Sequence, residues 1–322
     1  MFVNRPDKHY DFRSIKVPRN HEMDPQPVEN PTMESVRILL DGVIDYAGLF
    51  PPSQLSMAEA VTNYAAYKKS NYSWMLGRFI LPVARLDEFV EAARDLQSSG
   101  WQLSALASED IVDTIRQIKF FNAEHKGTFL CDTVEVKANT VSKIDNTLFS
   151  TPGDLTPYFE ISTGPNFAEL VSTLSLKGQR AKIRTGGLTQ NDFPSSRDII
   201  RFVRTCMAAN VPFKATAGLH HPIRCFKPLT YAPDAPQGTM HGFLNLLLMT
   251  GYARESYKIS VLEELMEEEF EEVFVFEDGG VRWRGNFLGN NSVGMLRQKG
   301  FHSFGSCSFD EPIADLQNLG LL

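Results

Sequence analysis

Ala181-Lys-Ile-Arg-Thr-Gly-Gly187 and Pro212-Phe-Lys-Ala-Thr-Ala-Gly-Leu-His-His-Pro222 decide how the chain is read. Each stretch is a short strand that carries a lysine and runs out into a glycine-bearing loop. Side chains alternate along a strand, so Lys182 shares a face with Arg184, and Lys214 with Thr216. A face built only for packing would carry Val, Ile or Leu there. Four polar side chains facing one way from neighbouring strands mean either a solvated sheet face or a reactive site.

Working outward, further strands are predicted upstream at Val43–Phe50, Gly77–Pro82, Trp101–Ala107, Thr133–Ala138 and Tyr158–Ser162, and downstream at His302–Phe309. Between them lie helical patterns. Ser56-Met-Ala-Glu59 has the spacing of a capping box for a helix through about Lys69. Leu86–Leu96 follows, then a helix with Ile111, Ile115, Ile118 and Phe121, a weaker one through about Leu148, and Phe167–Leu176, Ser195–Ala209, Met240–Ala253 and Ile313–Leu319. Eight strands alternating with eight helices predict a (β/α)₈ barrel of the TIM type, with an open doubly wound sheet as competitor.

Two regions stand outside that alternation. Residues 1–31 are rich in Pro, Asn, Asp and Arg without apolar periodicity and read as an N-terminal extension, leaving 32–322 as a single barrel domain. Residues 257–300 read as an insertion before the eighth strand. It holds an acidic run (Glu263, Glu264, Glu267, Glu268, Glu269, Glu271 and Glu272), taken as a solvated helix face, and a β-hairpin turning at Asp278-Gly279.

The formal charge of −7 opposes a general nucleic-acid binder, which needs a basic surface to replace phosphate counterions. Cys131, Cys206, Cys225 and Cys307 form no CxxC pair, so neither a zinc knuckle nor a redox motif is indicated, and Cys307 is most simply a small packed residue. The N-terminal stretch lacks an apolar h-region and no run reaches membrane-spanning length. The expectation is a cytoplasmic chain with no nucleic-acid or membrane partner; an organellar address on the N-terminal stretch and a homo-oligomer stay open.

In a barrel of this kind chemistry sits at the C-terminal strand ends. Polar residues there are Asp45 on the first strand, Glu135 and Lys137 on the fourth, Glu160 on the fifth, Lys182 and Arg184 on the sixth, and Lys214 and Thr216 on the seventh. The bland reading makes Glu160 and Arg184 a structural pair and lets both lysines snorkel outward. The reactive reading starts from strand spacing: parallel neighbours lie about 4.8 Å apart, so two ammonium groups could approach within about 6 Å. At an effective dielectric near 20 they would repel by about 2 to 3 kcal/mol, roughly two pKa units. One lysine would then be substantially neutral and able to attack a carbonyl as an amine, while the other stays cationic and Asp45 and Glu135 handle protons.

Lys-Ile-Arg-Thr-Gly (182–186) resembles the Lys-x-x-Thr-Gly strand-six motif of the deoxyribose-phosphate aldolases, and Lys-Ala-Thr-Ala-Gly-Leu (214–219) their strand-seven Lys-x-x-Gly-Gly-Ile/Val. Ile44-Asp45-Tyr46, Val134-Glu135, Phe159-Glu160 and Phe304-Gly-Ser-Cys-Ser308 are similar, in the same order, to that family's motifs on strands one, four, five and eight. The resemblance implies a class I aldolase in which Lys182 forms the Schiff base and Lys214 tunes it, with no metal and no cofactor. The substrate's anionic end is expected at Thr185, Gly186, Gly218, Gly305, Ser306 and Ser308, with Thr216, His220 and Glu160 beside the substrate. Ala217 departs from the pattern where the family has glycine. Arg184 and His220 depart too, and an arginine there favours a small anionic carbonyl compound as substrate. The Lys-Ala-Thr-Ala-Gly-Leu-His-His phrase also resembles a bacterial family of unassigned function. Two other readings remain: a metal-dependent lyase or hydrolase that takes His220 or His221 with Asp45, Glu160 or His302 as ligands, and a non-catalytic metabolite-binding or interaction barrel that uses the hairpin near Asp278.

Overall fold

The computed structural model describes residues 32–96 and 100–322. The predicted N-terminal extension, 1–31, lies outside the described residues. The barrel strands are β1 (Ile44–Tyr46), β2 (Leu76–Pro82), β3 (Trp101–Leu106), β4 (Phe129–Lys137), β5 (Thr156–Glu160), β6 (Arg180–Arg184) and β7 (Phe213–Thr216), followed after two minor sheets by β13 (Phe301–Ser306). They close in the order β1-β13-β7-β6-β5-β4-β3-β2, every pairing parallel. This is the predicted TIM barrel, and the open doubly wound sheet is thereby excluded.

The layer of helices follows local signals. Helix α2 (Met57–Tyr67) opens with the expected capping box, Ser56 and Glu59 each satisfying the other's backbone N–H. Asp110 and Ser195 do the same one-sidedly for α4 (Ile111–Glu124) and α7 (Ser196–Ala208). Helices α3 (Leu86–Ala93), α5 (Val141–Ser150), α6 (Phe167–Leu176), α8 (Phe243–Arg254) and α11 (Asp310–Asn318) complete the ring. Helix α1 (Glu34–Leu40) was not anticipated: it has no side-chain N-cap and is held by burial of Val36, Leu39 and Leu40.

Segment 257–300 is larger than a helix and a hairpin. Helix α9 (Ile259–Met266) is followed by a three-stranded antiparallel sheet, β10 (Phe274–Glu277), β11 (Gly280–Trp283) and β12 (Asn286–Gly289), and by α10 (Asn290–Lys299). The turn falls at Asp278-Gly279 as expected, since Glu277 pairs with Gly280. The acidic run is not uniformly solvated. Glu268 is buried, accepting from Trp283 Nε1 at 3.2 Å and Arg284 Nε at 2.9 Å, while Glu267 and Glu269 pair with Arg224. A carboxylate with a guanidinium and an indole N–H around it can be buried where a bare one cannot. A two-stranded ribbon, β8 (Cys225–Pro228) with β9 (Gln237–Met240), interrupts the passage from β7 to α8 and was also unforeseen. Its first strand is largely exposed and shows no alternation to read.

Candidate active site

Register places the charged residues. Glu160 on β5 stands opposite Lys182 on β6, and Lys182 opposite Lys214 on β7. Both lysines point into the closed barrel, 3% and 1% exposed, where bulk solvent does little to solvate an ammonium group. Carboxylates do so instead. Lys214 Nζ donates to Asp45 Oδ2 at 2.6 Å and to Glu135 Oε1 at 2.7 Å. Lys182 Nζ lies 2.7 Å from both Glu135 Oε2 and Glu160 Oε2. Glu135 therefore bridges the two lysines, one oxygen to each. Three carboxylates face two ammonium groups, with the Arg184 guanidinium 3.8 Å beyond Glu160 completing the balance.

That bridge corrects the electrostatic expectation. Repulsion between the lysines is opposed by an anion placed between them. Burial would lower the Lys214 pKa, but Asp45 and Glu135 outweigh it and hold the group above the ordinary lysine range. Burial likewise disfavours the charged form of Glu135, yet Lys182 and Lys214 hold its pKa well below the ordinary carboxylate range. Glu160 shifts down for the same reason, burial being outweighed chiefly by Lys182. Lys214 is thus a fixed cation.

The cluster forms the floor of a chamber of about 600 Å³ at the C-terminal mouth of the barrel. Glu135, Lys182, Arg184, Gly186, Thr216, Gly218, His220 and Gly305 line it, with Ile80, Leu106 and Phe50 as apolar wall. Arg184 also lines a side cleft of about 370 Å³ that it shares with Glu160 and Lys137. Other expected site residues lie elsewhere. Asp45 is below the floor and fully engaged: besides Lys214 it accepts from Ser303 Oγ at 2.7 Å and the Arg78 N–H at 2.8 Å. Thr185 is buried between the loops, its hydroxyl donating to the Ala217 carbonyl at 2.6 Å. Ser306 is buried and Ser308 Oγ accepts the Glu311 N–H at 3.1 Å at the start of α11, so neither faces the chamber.

Gly186 and Gly218 have a packing role. A Cβ on Gly218 would fall 2.8 Å from the Gly186 Cα and 2.7 Å from the Phe193 ring, and Gly218 sits at φ 75°. The bare backbone lets the β6 and β7 loops touch. Ala217, the departure from the aldolase pattern, adopts a left-handed φ of 64°, a conformation that normally favours glycine.

The donors considered for a metal are spread apart. His302 sits near the start of β13, 2.7 Å from Tyr158 Oη and 3.1 Å from the Gln298 carbonyl. His221 Nδ1 pairs with Asp315 at 2.6 Å and His220 with Glu311 at 3.3 Å. Among the described residues no three His, Cys, Asp or Glu side chains converge as a metal site. Three participants were missed by sequence reasoning. Ser104 donates to Glu135 Oε1 at 2.8 Å and Ser303 to Asp45; both are buried polar residues within strands, a signal that alternation along β3 and β13 carried. The third is Cys307, a buried residue of the chamber lining whose sulfur lies 4.0 Å from His220 Nδ1.

Fold and site together define a class, a parallel eight-stranded barrel with a buried lysine–carboxylate cluster beneath the chamber at its C-terminal mouth. No family model matches the chain, and no curated protein is significantly similar to it.

Proposed function

We propose that the protein is a Schiff-base-forming lyase of class I aldolase type, acting on a small aldehyde or keto compound with an anionic group. The observation that carries this reading is the asymmetric pair of lysines on one carboxylate: Lys182 lines the chamber, and Lys214, buried behind Glu135, does not.

Lys182 passes a proton to Glu160, 2.7 Å away, and attacks the carbonyl as the free amine. The carbinolamine loses water with a proton returned by a carboxylic acid, leaving a protonated imine. The C–C bond next to the imine carbon then breaks: the hydroxyl on its far carbon gives its proton to Glu135, which lines the chamber, and becomes the departing carbonyl; the bond's electrons form an enamine, and Glu135 returns the proton to the enamine carbon. Water then releases the product and regenerates the amine. Lys214 keeps Glu135 ionised, and Asp45, itself held by Ser303 and the Arg78 N–H, anchors Lys214. Arg184, half-exposed between chamber and cleft, presents a guanidinium to the substrate's carboxylate or phosphate.

Borohydride trapping tests this. Incubation with a panel of small anionic aldehydes and ketones, reduction and peptide mass analysis should yield one irreversible adduct, on Lys182. No reducible adduct across the panel overturns the imine mechanism.

A further inference from the structure

The rim opposite Lys182 carries a second cluster that imine chemistry does not use. Cys307, directly after β13, lines the main chamber and also a neighbouring cleft beside Tyr46 and Tyr67. Its sulfur lies 4.0 Å from His220 Nδ1 and 3.8 Å from Tyr231 Oη. Glu311, on α11, holds both neighbours, 3.3 Å from His220 Nδ1 and 3.1 Å from Tyr231 Oη. Ser53 Oγ donates to the Cys307 carbonyl at 3.2 Å and fixes the backbone beneath the thiol. The sulfur and the Glu311 carboxylate face the same ring nitrogen, His220 Nδ1, so an imidazolium there would stand beside the thiol with a carboxylate supporting its charge.

We propose that Cys307 is a second nucleophilic centre, a thiolate paired with the His220 imidazolium, and that it is a modification site for small disulfides.

The charged and titratable groups facing the sulfur are His220 from the β7 loop, Tyr231 from the ribbon loop, Glu311 from α11 and Tyr46 from β1. Burial works to raise the Cys307 pKa, but His220 outweighs it and the net direction is down. Burial opposes the charge on His220, while Cys307 and Glu311 raise its pKa to about 9. The other thiols are internal controls. Burial pushes Cys131 up to about 12 and Cys225 up to about 11, and Cys206 up as well. Only a thiolate attacks a disulfide, and Cys307, though buried where Cys225 is partly exposed, is the one cysteine of the four with an imidazole beside its sulfur that lowers its pKa.

The step balances. The Cys307 thiolate attacks one sulfur of a disulfide RS–SR; a Cys307 S–S bond forms, the RS–SR bond breaks, and the leaving thiolate takes the His220 proton to depart as RSH. Cys307 is oxidised and half of the small disulfide is reduced. Excess thiol reverses the exchange.

The test treats the whole chain with bis(2-hydroxyethyl) disulfide at pH 7 and follows adducts by intact mass and peptide mapping. A single adduct should form on Cys307, at least about tenfold faster than at Cys225, and dithiothreitol should remove it. His220→Asn should slow that reaction by about tenfold or more at pH 7, with the loss shrinking towards pH 9 as an ordinary thiol ionises. Glu311→Gln should act in the same direction more weakly, and serves if His220→Asn does not fold. Labelling of Cys225 before Cys307, or an unchanged Cys307 rate in whichever of these variants folds, overturns the proposal.

Discussion

The β6 and β7 ends of the ion cluster hold the same residue type in register, yet they face different surroundings. Lys214 makes well-aligned hydrogen bonds to Asp45 and Glu135, lies over the Tyr158 ring at 5.4 Å and has no path to the chamber. Lys182 has two carboxylates at 2.7 Å, Glu135 and Glu160, and is paired as closely as Lys214. It also opens onto the chamber. Lys214 is sealed behind Glu135, whereas Lys182, paired just as closely, faces the chamber. Position relative to the mouth, more than residue type, separates the two lysines.

The largest effect expected from breaking this contrast is on adduct formation. Lys182→Met should abolish borohydride-trappable adducts and lower lyase turnover by at least about 10³-fold. Unfolding by denaturant should change less, because Glu135 keeps Lys214 and Glu160 keeps Arg184. Lys214→Met should reverse the pattern. It strands Asp45, itself 1% exposed, without its ammonium partner, and a broken buried pair costs about 3 to 5 kcal/mol of stability. Chemical denaturation measures that loss, and trapping at Lys182 should persist in whatever fraction remains folded. A Lys214→Met protein as stable as the wild type would show that the β7 end is not the structural one.

Arg184→Met should raise KM by about 10- to 100-fold for carbonyl substrates that carry an anion and leave neutral aldehydes nearly unaffected. Comparing kcat/KM for matched charged and neutral substrates separates anion recognition from a general disturbance of the chamber.

The smallest effect is on the pH dependence of stability. The folded pKa values of Glu135 and Glu160 lie below their unfolded values, so their contribution is present above the unfolded glutamate pKa of about 4.3 and is lost as pH falls through the folded values. Glu160→Gln should make the acid limb of the stability curve shallower, by at most about 1.4 kcal/mol per pH unit. Urea titrations between about pH 5 and 2.5 would read this slope. An unchanged slope would mean that Glu160 is not ionised against Lys182 in the folded state.

Much of the barrel was legible because its signals are local. Ser56 and Glu59 sit three residues apart and make the box that their spacing foretells. Asp278-Gly279 turns the chain between β10 and β11 for the same kind of reason. Helix α1 and the ribbon β8–β9 were illegible, since one has no side-chain cap and the other shows no alternation of burial. At the site, alternation along single strands put Lys182 on a face with Arg184 and Lys214 on a face with Thr216, but which way those faces point and which oxygen meets which nitrogen depend on strands far apart in the chain. Glu135 on β4 reaches across to Lys214 on β7, 79 residues later, and Ser303 supports Asp45 from 258 residues away.

By itself the sequence determined the alternation of strands and helices, the lysines on neighbouring strands and the glycines at the β6 and β7 loops, because periodicity, caps and turns are set by neighbours within a few residues. Only the tertiary structure decided that Glu135 stands between the lysines, that Asp45 lies beneath the floor, that Ser306 and Ser308 face away, and that Cys307 meets His220. Those outcomes depend on closure of the barrel and on the stagger of its strands, which bring residues from both ends of the chain within hydrogen-bonding distance.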